Sequence, residues 1–210
     1  MAGSKLSSVH PNRPSATLMR DTVKPPLLPS RLPVQPIVGR ARGQLASPVD
    51  GRYGPMEPDV LRQAAAWLAT QIDLEGAKFV LGIPEGGYLP AYAFAAETGL
   101  RLVLGSIWQP SAPGVVSFIE EHNNANARAK HFNGLSAGDH VIVVEDEVSS
   151  GQTIVNCVRA LRAAGIRCDQ VATIYVADDP ALRARVAAEG IRLHAAAHCQ
   201  ADVNAELYRR

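Results

Sequence analysis

The chain has 210 residues, 47% hydrophobic and 20% charged, enough for one globular domain with a real core and some spare chain. Its formal charge of +1 supplies no broad basic field, so neither nucleic acid nor an anionic membrane is an expected partner. No apolar run reaches the roughly 18 residues of a membrane span, and three cysteines without metal-type spacing read as reduced apolar residues of a soluble, cytoplasmic protein.

Residues 1–36 hold seven of the 15 prolines, among them Pro11, Pro25, Pro26 and Pro33. Proline removes backbone donors and disfavours helix at the residue before it, so this arm is expected to be disordered or extended. Residues 37–210 are then the folded domain. Pro58 opens a helix whose Val60, Leu61, Ala64, Ala65, Leu68 and Ile72 recur at helical spacing. Residues 78–83 make a short apolar strand that ends in Pro84-Glu85-Gly86-Gly87. An alanine-rich helix from about Leu89 to Thr98 follows, capped by Gly99, and 102–104 form a second strand.

Residues 107–139 read as a long polar loop with one strand-like piece at 115–119, and a loop of this length points to a lid. Val141–Val144 form a buried strand, and a helix runs from about Thr153 to Ala164. Residues 171–176 are a strand, 180–189 a helix, and 191–197 a final strand. Apolar strands without alternation, separated by helices, predict an α/β fold: a doubly wound, mainly parallel sheet with helices on both faces.

One segment carries chemistry. Val141-Ile-Val-Val ends in Glu145-Asp146, two carboxylates at the carboxyl end of a buried strand, where parallel sheets bind ligands. Ser149-Ser150-Gly151-Gln152-Thr153 then opens a helix, whose amides and hydroxyls sit at the positive end of its dipole. Gly151 removes a Cβ from the path of an anion. Carboxylates for vicinal hydroxyls beside a nest for one phosphate describe a ribose 5-phosphate site, although acids after a strand and a Ser-rich helix start also occur in domains with no such ligand. Neither a Walker loop nor a dinucleotide fingerprint is present.

Residues 141–153 resemble the phosphoribosyl pyrophosphate (PRPP) signature of type I phosphoribosyltransferases: four apolar residues, two acids, two variable positions and a small Ser/Thr loop. The resemblance runs from about Met56 to Val176 and is greatest to the adenine branch. It implies a mobile loop or hood over the sheet, PRPP and a small heteroaromatic base as substrates, Mg²⁺ as cofactor, and a homodimer. It also implies that Glu145 and Asp146 hold the ribose hydroxyls, that Ser149, Ser150, Gly151, Gln152 and Thr153 hold the 5-phosphate, and that Glu85, Gly86 and Gly87 form the pyrophosphate loop.

Ser117-Phe118-Ile119-Glu120-Glu121-His122 resembles the start of the branch's catalytic loop. That match puts Glu121 on the catalytic-candidate glutamate beside Asp146, with Glu120 as the alternative because the spacing to Glu145 needs one extra residue. The chain departs from the branch where Gly86 replaces an arginine and Ser106-Ile107 an Arg-Lys pair. Arg128, Lys130 or a neighbouring subunit are the candidate replacement cations. Arg40, Arg42, Arg52 and Tyr53 lie where relatives build part of the base pocket or dimer contact. Tyr88 and Phe118 are candidates for stacking on a planar ring or for the core. The cation loss leaves two alternatives to a transferase open: a non-catalytic PRPP or nucleotide sensor, and an enzyme acting on another ribose 5-phosphate compound without pyrophosphate.

Overall fold

The computed structural model describes residues 23–35, 44–52, 54–120 and 128–202. The described strands are β1 (Arg31–Gln35), β2 (Gln44–Leu45), β3 (Phe79–Gly82), β4 (Arg101–Leu104), β5 (Val116–Glu120), β6 (Arg128–Phe132), β7 (Val141–Val148), β8 (Gln170–Ala177) and β9 (Arg192–Asp202). The helices are α1 (Pro58–Gln71), α2 (Tyr88–Thr98), α3 (Gln152–Ala163) and α4 (Pro180–Ala188).

Seven of these strands form one sheet in the order β2-β1-β9-β8-β7-β3-β4, parallel throughout except for β2 at one edge. β7 lies inside it, between β3 and β8, so both its faces are covered and Val141–Val144 are fully buried. On one face α1 and α2 set Leu61, Leu68, Ala91 and Phe94 against Val80, Ile142 and Val144. On the other, α3 and α4 set Ile154, Val158, Leu161 and Leu182 against Leu81, Val141 and Val143. The doubly wound α/β expectation therefore holds.

Two expectations are corrected. Of the arm expected to be disordered or extended, residues 31–35 are extended and belong to the sheet, with β1 running parallel to β9, so the folded domain includes residues before 37. Leu32 and Val34 alternate into the core, and Pro33 is accommodated because its carbonyl accepts from the Ala46 N–H at 2.7 Å, a role that needs no proline donor. The stretch 107–139 is not one long loop. It contains the antiparallel hairpin β5–β6, in register from Val116↔Phe132 to Glu120↔Arg128. Val116, Phe118 and Phe132 bury the hairpin's base in the core, with the two phenyl rings stacked at 5.7 Å between centroids.

Candidate functional site

β7 continues four residues past its apolar half, so Glu145, Asp146 and Glu147 remain on the strand. Two loops meet at this end of the sheet: the turn after β3, residues 83–87, and the turn after β7, residues 149–151.

In the first turn the Ile83 N–H donates to the Val144 carbonyl at 3.2 Å, and the Gly87 N–H donates to the Ile83 carbonyl at 3.0 Å. The Pro84–Glu85 peptide is cis. A Cβ at Gly87 would lie 2.6 Å from the Ile83 carbonyl oxygen and 2.7 Å from that of Val144, so only glycine lets the turn lie this close to the sheet. A Cβ at Gly86 would lie 2.1 Å from Oδ2 of Asp146. The Asp146 carboxylate thus rests on the bare Cα of Gly86, and the acidic strand end and the turn form one surface. Glu85 is exposed, and the Tyr88 hydroxyl donates to the Gly105 carbonyl at 2.6 Å.

The second turn is held differently. Gly151 has φ +77° and is the N-cap of α3, and its missing Cβ faces Val186 Cγ2 at 2.9 Å. Its glycine is therefore required by backbone conformation and by contact with α4, which corrects the expectation that it clears the path of an anion. The Ser150 Oγ accepts from the Gln152 N–H at 3.3 Å, and Arg185 of α4 donates to the Ser150 carbonyl. Ser149 is exposed, while Ser150, Gln152 and Thr153 are half-buried along the start of α3. The expected phosphate-loop residues thus lie together at a helix N-terminus.

The acids are crowded. Burial and the neighbouring Asp146 charge push the Glu145 carboxyl well above the ordinary range. Burial also raises Asp146, opposed by a hydrogen bond with Glu145 and by the Arg52 charge. Glu147 is pushed up to about 8 by burial and by the charges of Asp146 and Asp50. Asp146 and Glu145 thus stand next to one another at the strand end, two neighbouring carboxyl groups for two adjacent sugar hydroxyls.

Among the described residues, Arg52 and Lys130 each pair with an acid of this region. Arg52 donates to both carboxylate oxygens of Asp50, through Nε and, at 2.7 Å, through Nη2; the same Nη2 approaches Asp146 Oδ2 at 3.4 Å. Lys130 Nζ pairs with Glu120 Oε2 at 3.0 Å, both side chains being largely buried. Glu120 closes β5 and acts electrostatically on Glu145, so the hairpin reaches the acidic corner. Asn156 of α3 donates to the Ile119 carbonyl at 2.9 Å, tying the hairpin to the helix after the second turn.

Comparison with known proteins gives these contacts a family. Residues 40–207 match the model of a family described as phosphoribosyl transferase. The chain belongs to the phosphoribosyl transferase family. A hypoxanthine/guanine phosphoribosyltransferase of Methanosarcina barkeri is 25% identical over 127 residues, 60% of this chain and 66% of its own length. An HGPRTase-like protein 3 of Haloterrigena turkmenica is 31% identical over 120 residues, 57% of this chain and 64% of its own. The chain thus spans no more than about two thirds of these curated relatives. In fold it is similar to the adenine phosphoribosyltransferase of Rhodothermus marinus, with a TM-score of 0.65 at 17% identity, covering 87% of this chain and 99% of that one. The Giardia lamblia enzyme crystallised with 9-deazaadenine gives 0.63 at 15% identity, covering 90% and 99%.

For this phosphoribosyl transferase family member, the structure brings Glu145, Asp146, Gly86 and Gly87 to one corner. Glu121 lies outside the described residues, as do Arg40, Arg42 and Tyr53. Phe118 is a core residue, so it offers no ring face for stacking on a base, while Tyr88 is half-buried with its hydroxyl tied to Gly105. Lys130 is no replacement cation, because it is buried against Glu120. Asp50, Glu147 and Arg185 carry no sequence signal, since nothing in a run of single residues tells which carboxylates a fold will gather.

Proposed function

We propose that the protein transfers the 5-phosphoribosyl group of PRPP to a ring nitrogen of a purine-like or modified heteroaromatic base, releasing pyrophosphate. The observation that carries this reading is the contact of Asp146 with the bare Cα of Gly86, which joins a hydroxyl-binding carboxylate to the turn expected to receive the leaving group. Family membership supports the reaction class, and relatives named for hypoxanthine and guanine support a purine acceptor.

In this reading Glu145 and Asp146 hold the 2- and 3-hydroxyls, and Ser149 to Thr153 hold the 5-phosphate at the N-terminus of α3. The bond from C1 to the pyrophosphate oxygen breaks with its electron pair on the leaving group. The base nitrogen then bonds C1 from the opposite face and loses its proton. Glu121 is the proposed acid/base partner; Glu120 is less suited, being engaged with Lys130. The hairpin β5–β6 shields the reacting carbon from water.

The donors at this corner are carboxylate oxygens, which suit Mg²⁺ carried mainly by substrate oxygens and water, with Asp146 and Glu145 nearest on the protein. When bound, the ion neutralises charge on the leaving group. Leu89, Tyr92, Leu104 and Trp108 are exposed apolar side chains on or beside α2 and the edge strand β4, which supports a homodimer. No described helix is long and apolar enough to cross a membrane, and we assign the protein to the cytoplasm.

A second reading, action on another ribose 5-phosphate compound without pyrophosphate, is favoured by the exposed Glu85 in the first turn. Incubation with PRPP, Mg²⁺ and a panel of purine and deazapurine bases, followed as pyrophosphate release, separates the two. Release that depends on one base supports the transferase, and none with any base overturns it.

A further inference from the structure

We infer that Arg52, carried on the segment before α1, is the cation that receives the diphosphate of the donor. The inference rests on the transferase reading above and adds to it a residue outside both turns. A diphosphate seated on the Glu85–Gly87 turn meets Glu85 and Asp146, and anion binding there needs positive charge within hydrogen-bond reach. Among the described cations near the corner, Lys130 is buried in its pair with Glu120 and Arg185 is engaged with the Ser150 carbonyl of the second turn.

Arg52 is differently placed. Asp50, whose side chain is only 2% exposed, grips the guanidinium through both oxygens and fixes its plane. The contact from Nη2 to Asp146 Oδ2 is 3.4 Å and loose by comparison with the 2.7 Å bond to Asp50. That same Oδ2 is the atom a Gly86 side chain would strike. One carboxylate oxygen thus separates the guanidinium from the turn, and 39% of the Arg52 side chain stays exposed.

Substrate entry then exchanges one partner for another. A phosphate oxygen replaces Asp146 on Nη2 while Asp50 keeps its grip, and Asp146 turns its free oxygen to a ribose hydroxyl. Asp50 is the positioning residue, and Arg52 the one that touches substrate. The arrangement also accounts for Gly86, because a side chain there would occupy the space between guanidinium and turn.

Calorimetry on the full chain tests this with two ligands, PRPP with Mg²⁺ and ribose 5-phosphate. Arg52→Ala is expected to weaken PRPP roughly 10- to 100-fold and leave ribose 5-phosphate affinity unchanged, with a lower melting temperature because the buried Asp50 loses its partner. Arg52→Lys, which keeps the charge without the fork, is expected to fall between and serves if the alanine variant does not fold. Equal weakening of both ligands means that Arg52 only steadies Asp146 and overturns the inference, as does PRPP affinity unchanged in either variant. If the wild type binds PRPP no tighter than ribose 5-phosphate, the transferase reading itself fails, and the inference with it.

Discussion

The two turns at the end of β7 and β3 both depend on glycine, for opposite reasons. Gly86 and Gly87 lie close against other atoms of the site, the first against a carboxylate and the second against two carbonyls of the sheet. Gly151 adopts a left-handed backbone and packs on α4, so its requirement belongs to the fold rather than to a ligand. One turn is shaped by what it must touch, the other by how a helix must start.

Alanine substitutions make this contrast measurable. Gly87→Ala drives a methyl into backbone oxygens that cannot move aside, and the expected loss of stability is the largest, about 3 kcal/mol in denaturant titration. Gly86→Ala meets only the end of a side chain. Its loss of stability is expected to be smaller than at Gly87, since a carboxylate and not backbone must turn aside, whereas ribose 5-phosphate affinity falls about 10-fold or more as Asp146 is displaced. Gly151→Ala should cost about 1–2 kcal/mol from its positive φ and leave ligand affinity nearly intact. If Gly151→Ala lost affinity without losing stability, the contrast between the turns would be wrong.

The smallest effect concerns pH. Glu147 has a carboxyl raised to about 8 in the folded chain, against an ordinary value near 4.5. A raised carboxyl means that the folded state holds a proton which the unfolded chain has released. The stability it provides is complete below about pH 4.5 and is lost as pH rises through 8. Glu147→Gln, which cannot ionise, is expected to leave the melting temperature at pH 5 unchanged and raise it at pH 8. Equal shifts at both pH values would remove Glu147 as the titrating group.

Much of this was legible in the sequence. The unbroken apolar run Val141–Val144 announced a strand covered on both faces, and Gly99 announced the end of α2, where its N–H donates to the Ala95 carbonyl at 2.8 Å. The pairing of two acids with a Ser-Ser-Gly turn also marked the corner that the fold assembles. What could not be read was long-range. β6 is Arg-Ala-Lys-His-Phe, polar enough to pass for a loop, and it is a strand because Lys130 meets Glu120 across the hairpin and His131 shares a 2.8 Å hydrogen bond with Ser117. β1 hid in a proline-rich stretch because its partner, β9, is more than 150 residues away. The gathering of Asp50 and Arg52 onto Asp146 spans 94 residues of sequence for its one direct contact, and no local pattern predicts it.

The central claim is that a ribose 5-phosphate group docks where β7 gives way to α3. Calorimetry with ribose 5-phosphate on the wild type and on Asp146→Asn tests it most directly. The account predicts saturable binding by the wild type and at least about 10-fold weaker binding by the variant at unchanged melting temperature. Equal affinity in the two proteins, or no binding by the wild type, would contradict it.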